Sequence, residues 1–171
     1  GAKRIINQAN DTDVIVLCLH YYASLGTIDE LWIKLEDSVY LPIHTISQPL
    51  GIAKCTSLPF FHSISGKDDT SFIYGVGKTK LWKAFTNLSA QDIAACSSFP
   101  EADSHEIPDS MLEASKRLLV KAYGGKNDDT LSSLRIQKFL SGPSGTLLGL
   151  PPTEDAFMIQ RAALATIIGK L

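Results

Sequence analysis

The chain has 171 residues, 44% of them apolar, and a formal charge of −2 at neutral pH. That size and apolar content are enough for a buried core, so wholesale disorder is excluded and one domain, or one and a half, is expected. The near balance of charge gives no overall attraction to nucleic acid or anionic lipid, so any such binding has to come from a local patch.

In chain order, Ala2 to Ala9 reads as a short strand, and Asn10-Asp11-Thr12-Asp13 supplies helix-capping chemistry directly after it. The run Val14 to Tyr22 is apolar almost throughout, and the cap-like residues in front of it favour a helix over a buried strand. Leu31 to Leu35 and Val39 to Leu41 are strand-like around the turn Glu36-Asp37-Ser38, which predicts a hairpin. Ile43 to Gly51 reads as a short helix ending at glycine, and Ile52 to Ser65 as a second apolar stretch interrupted by Pro59.

After the glycine-containing segment Gly66 to Gly77, Leu81, Trp82 and Phe85 recur at helical spacing, with Lys80 and Lys83 on the opposite face. The remainder reads as helical. Ser89-Ala90-Gln91-Asp92 resembles a capping box, and Ser110-Met111-Leu112-Glu113 predicts another, opening a helix that stops at Gly124-Gly125. Further helices are expected over Leu131 to Leu140 and Glu154 to Leu171, separated by a stretch rich in Gly and Pro. The last presents Phe157, Leu164, Ile168 and Leu171 on one stripe, read as core.

Three cysteines, Cys18, Cys55 and Cys96, are odd in number and widely spaced, which suits reduced thiols in a reducing compartment. No run approaches the roughly 18 consecutive apolar residues of a membrane span, so no membrane association is expected. The chain starts at Gly1, without a methionine or a targeting pattern, and reads as a fragment of a longer protein.

Two acidic patches carry the candidate chemistry: Asp11-Thr12-Asp13 at a strand-to-helix junction, and Gly66-Lys67-Asp68-Asp69. Hard divalent cations take oxygen ligands, and a few carboxylates can hold them beside phosphate oxygens. Paired ions about 4 Å apart stabilise the attacking and leaving oxygens of phosphodiester hydrolysis. Beyond Asp68, Gly75-Val76-Gly77-Lys78 leads into a segment with Lys80 and Lys83. A glycine turn at a helix N-terminus offers backbone N–H groups to a phosphate, and nearby lysines add counterion release.

The stretch from Gly66 through Asp68 and Gly75 to Lys78 resembles the flap-endonuclease, or XPG-like, nucleases of the PIN-like superfamily. In these a Gly-x-Asp metal ligand runs into a Gly-x-Gly helix-hairpin-helix that holds the DNA backbone. Asp11-Thr12-Asp13 is similar to their Asp-x-Asp pair. The likeness covers about Ile5 to Thr86. It implies an α/β fold, the C-terminal half of a PIN-like three-layer domain over residues 1–88, with a helix-hairpin-helix at about 66–86 and a helical region over 89–171.

It further implies Asp11, Asp13 and Asp68 as catalytic ligands of Mg²⁺ or Mn²⁺. Gly75, Gly77, Lys78, Lys80 and Lys83 would hold DNA, branched or single-stranded, in an intracellular, nuclear setting. The family's remaining carboxylates lie upstream of its Asp-x-Asp pair, so this stretch alone is expected to be inactive. Asn7 and Gln8 occupy positions that a buried strand would fill with apolar residues, Asp69 replaces the usual tyrosine or threonine, and no proline follows the glycine turn. The alternative is a catalytically degenerate binding or scaffold module derived from a mobile element. The chain also resembles mobile-element-associated animal proteins that carry a Gly-x-Asp-Thr motif and a late Leu-Pro-Pro-Thr, here Leu150-Pro151-Pro152-Thr153.

Other signals lead nowhere. Gly77-Lys78-Thr79 lacks the earlier glycine of a P-loop, since Phe72 stands there. Cys18 and His20 are badly spaced for tetrahedral zinc, and His44, His62 and His105 are scattered, so packing is expected for them. No Gly-x-Ser-x-Gly elbow occurs. Asn87-Leu88-Ser89, formally a glycosylation sequon, is expected to end one helix and cap the next.

Overall fold

The structure, a computed structural model, describes residues 3–66, 73, 75–99, 107–142 and 149–157, with only the backbone of Asp37. It is mixed α/β. Strand β1 (Arg4–Gln8) leads through helix α1 (Thr12–Tyr22) to strand β2 (Glu30–Lys34), and β1 and β2 pair in parallel, Arg4 opposite Glu30 and Gln8 opposite Lys34. A 3-10 turn over Glu36–Ser38 then reverses the chain into β3 (Tyr40–Pro42), antiparallel to β2, so the order is β1-β2-β3 and the expected hairpin is present.

The apolar run after Asn10 is a helix because Asp11 caps it: its backbone is extended, and its carboxylate accepts the N–H of Asp13 at 3.0 Å. Gly51, at φ 74°, ends α2 (Ile43–Leu50). The next apolar stretch is divided into α3 (Ile52–Thr56) and α4 (Leu58–Ile64), with Pro59 in the first turn of α4, where its missing N–H leaves no intrahelical bond unmade.

Helix α5 (Lys78–Thr86) buries Leu81, Ala84 and Phe85 and leaves Lys78, Lys80 and Lys83 in solvent, the split its spacing predicts. Asn87 terminates α5 and Ser89 caps α6 (Ala90–Ser97), as expected of the Asn-Leu-Ser triplet. The cap expected at Ser110 is displaced. Helix α7 (Asp109–Ala122) starts two residues earlier than a cap at Ser110 would place it, behind Pro108, with no side-chain cap, because Pro108 holds an extended backbone (ψ 140°) immediately before it. Helix α8 (Leu131–Ser141) opens with a reciprocal bond pair between Thr130 and Ser133, a capping box with serine in place of the acid.

One connected core runs from Leu19, Leu31 and Ile33 through Phe60 and Phe85 to Met111, Leu118, Leu134 and Phe157. In β2, Leu31 and Ile33 point into it, whereas β1 is exposed along its whole length, with Ile5 43% and Ile6 56% accessible. The three cysteines are free thiols, with Cys55 and Cys96 buried. Beyond Phe157 the expected C-terminal helix lies outside the described residues. No helix among the described residues is long and apolar enough to cross a membrane.

Candidate functional site

The carboxyl ends of β1 and β2 lie side by side because the two strands are parallel, and such ends are where open α/β sheets usually place their ligands. Asn10 bridges them. Its Nδ2 donates to Glu36 Oε1 at 2.6 Å, and its Oδ1 accepts the Glu36 N–H at 2.9 Å. The offset of 26 residues set by the strand register recurs in the Lys3–Asp29, Arg4–Glu30 and Asn10–Glu36 contacts. At the opposite end of the strands, the Arg4 guanidinium, with Trp32 Nε1–H, holds the Glu30 carboxyl down at about 2.

Asp11 and Asp13 follow Asn10 directly and are brought together at the first turn of α1. Asp11 Oδ1 is engaged as the cap. Asp13 is partly buried, and its Oδ1 lies 2.6 Å from Nε2 of His62, on α4. His62 is therefore a member of the site that sequence reasoning assigned to packing. The other histidines do tie elements together: His20 Nδ1 meets the Thr56 carbonyl at 2.8 Å, and His44 Nδ1 the Leu31 carbonyl at 3.1 Å. His105 lies outside the described residues.

Asp68, the third expected ligand, and Asp69 also lie outside the described residues. The chain leaves α4 at Ser65 and Gly66, three residues after the histidine that touches Asp13. Among the described residues no three His, Cys, Asp or Glu side chains converge as a metal would require. The carboxylate oxygens of Asp11 and Asp13 are of a type that suits a hard cation rather than zinc, but Asp11 already serves as a cap and Asp13 is held by a histidine.

The expected nucleic-acid residues form a second cluster. Gly77 is the N-cap residue of α5 and carries no side-chain cap, and the space its Cβ would fill is open. Gly75 has a different role. At φ 81° its missing Cβ makes room for the Cα of Gly149, which a Cβ would meet at 2.8 Å. The glycine turn is thus close to Gly149, just before the segment that α8 holds through a 2.6 Å bond from Arg135 Nη1 to the Pro151 carbonyl. Gly75 lies against the residue that precedes Leu150-Pro151-Pro152-Thr153.

Helix α4 joins the clusters. Phe61 stacks edge-on against Trp82 of α5, with ring centroids 5.1 Å apart, and contacts Phe85 at 4.9 Å, while its neighbour His62 reaches Asp13. Compared with known proteins, the chain matches no family model, no curated protein and no solved structure.

Proposed function

We propose that this chain belongs to a divalent-metal-dependent, structure-specific nuclease-like protein that hydrolyses phosphodiesters in DNA, with a build like that of the PIN-like flap endonucleases. The observation that carries the reading is the link through α4: Phe61 packs on the lysine-bearing helix, and His62 holds Asp13 at the carboxyl end of β1. Asp11 and Asp13 would supply ligands for Mg²⁺ or Mn²⁺, with Asp68 completing the set from the segment after α4. A bound cation supplies positive charge for the phosphate oxygens.

The chain's own residues have separate tasks in this reading. Asn10 and Glu36 fix the two strand ends, so the acidic residues that follow need no reordering when substrate arrives. His62 orients the Asp13 carboxylate. Lys78, Lys80 and Lys83, all exposed on α5, neutralise the backbone phosphates beyond the scissile one. The exposed, parallel β1 is an edge that further strands and helices of a three-layer domain would cover, since parallel sheets are ordinarily buried on both faces.

The test is Mn²⁺-dependent cleavage of flap and single-stranded DNA by the full-length protein and its Asp13→Asn and Asp68→Asn variants. Each substitution is expected to reduce cleavage at least about a hundredfold. Equal cleavage by all three proteins removes these carboxylates from the mechanism.

A second reading, a catalytically degenerate DNA-binding module derived from a mobile element, is favoured by the engagement of Asp11 as a cap and of Asp13 by His62. It expects DNA binding that needs no divalent cation and survives Asp13→Ala.

A further inference from the structure

Helices α5 and α7 pack side by side, and between α5 and the C-terminal half of α7 they leave a polar cleft that continues past the start of α6 to the turn before α8. It consists of two adjoining hollows, of about 470 and 330 Å³, that share Asn87 and Lys121. Lys80 and Lys83 enter from α5, Arg117 and Lys121 from α7, and Lys126 from the loop. Five cations thus face one another across a chain whose overall charge is −2.

Among the described residues of the lining the one carboxylate is Asp92, and it is already used. It is 4% exposed, lies 2.6 Å from Arg117 Nη2, and accepts the Ser89 hydroxyl at 2.8 Å. None of the four lysines is paired with an acid among the described residues. Lys121 is held instead by a neutral oxygen, Asn127 Oδ1, at 2.9 Å. Lys83 and Lys121 stand in the last turns of their helices, where a cation offsets the partial negative charge of the helix end. Lys80, in the first turn of α5 where the helix end is partly positive, and Lys126 in the loop have no such explanation. Four like charges left in one concave surface repel one another, and an anionic ligand with repeated charges relieves that repulsion.

We infer that this cleft binds the sugar-phosphate backbone of a nucleic acid, continuing the contact surface of α5 onto Lys121 and Lys126. The inference rests on the DNA-directed reading above and extends it to residues outside the glycine-turn segment. The amide groups of Asn87, Gln91 and Asn127 line the same surface and hydrogen-bond to sugar and phosphate oxygens without reading sequence, so the grip is indifferent to base identity.

The experiment measures anisotropy of a fluorescent oligothymidylate with the full chain, in EDTA, across a range of salt concentrations. Lys121→Ala/Lys126→Ala is expected to weaken binding about tenfold and to lower the salt slope by about 0.7 for each lysine. Lys3→Ala/Lys138→Ala removes the same charge from residues that do not line the cleft and should leave both unchanged. Thermal melts of each variant establish that the fold is retained. If Lys121→Ala/Lys126→Ala binds like the wild type while Lys80→Ala/Lys83→Ala weakens, the extension of the contact surface onto Lys121 and Lys126 is overturned and the DNA-directed reading of α5 stands. If the wild-type chain shows no salt-dependent binding, both fall.

Discussion

The Nε2 of His62 lies 2.6 Å from Oδ1 of Asp13, so the end of α4 and the start of α1, 49 residues apart, are fastened at one partly buried polar contact. A hydrogen bond to a charged group in such a setting contributes about 1–3 kcal/mol. His62→Ala should lower the unfolding free energy in urea by that amount. His62→Gln, whose amide N–H can still donate to Asp13, should recover part of the loss. Identical midpoints for wild type and His62→Ala would show the contact to be incidental.

Asp11 separates capping from metal binding. As the cap of α1 it needs only an acceptor oxygen, so Asp11→Asn should leave stability nearly unchanged, while Asp11→Ala costs about 1 kcal/mol. A cation ligand needs the charge as well, so Asp11→Asn should weaken Mn²⁺ binding in a fully folded chain. Stability and Mn²⁺ affinity measured on the same preparation read the two roles apart.

The two glycines of the turn should respond oppositely. Gly75→Ala forces a Cβ to within 2.8 Å of the Gly149 Cα in a left-handed backbone, and should destabilise by about 1–3 kcal/mol. Gly77 has an ordinary φ of −71° and open space, so Gly77→Ser adds the missing cap acceptor and should stabilise by about 0.3 kcal/mol. The same serine occupies the N–H groups at the start of α5, so DNA binding should weaken as stability rises. Gain of stability with undiminished binding would remove that helix end from the interface.

Asp92 predicts an acid limb of stability. Burial alone would raise its carboxyl, but the Arg117 guanidinium and the Ser89 hydroxyl outweigh it and leave the carboxyl below the usual aspartate value. A depressed carboxyl stabilises the fold fully above its unfolded value, near 4, and the contribution drains away as the pH falls from there through the folded value. Asp92→Asn should therefore be less stable by about 1–2 kcal/mol at neutral pH, toward the lower part of the range for charged hydrogen bonds because Arg117 is half exposed. In chemical denaturation from pH 7 to pH 2, the two proteins should converge below about pH 4.

Local signals in the sequence carried most of the secondary structure. Gly51, Pro59, Asn87 and Ser89 each mark a boundary that backbone chemistry enforces, and the Leu81–Phe85 spacing identifies the buried face of α5. Asp11 as a helix cap was legible for the same reason. What was not legible depends on tertiary pairing. His62 meets Asp13 because α4 packs on α1, and nothing within several residues of either announces it. Asn10 finds Glu36 through the strand register, a constant offset visible once β1 and β2 are known to be parallel. Gly75 had a plausible local use as a phosphate turn, and its contact with Gly149 is a close approach of two distant segments that composition does not encode. The start of α7 lies two residues before the one Ser110 suggests, because Ser110 offers a cap while Pro108 fixes the entry.

The most direct test of the central claim, that Asp11, Asp13 and Asp68 share one cation site, is an electron-paramagnetic-resonance titration of Mn²⁺ into the folded chain, comparing wild type with Asp11→Asn, Asp13→Asn and Asp68→Asn. Saturable binding is expected for the wild type, with weaker binding in each of the three variants. Undiminished Mn²⁺ binding in Asp68→Asn, or none by the wild type, would contradict a shared site.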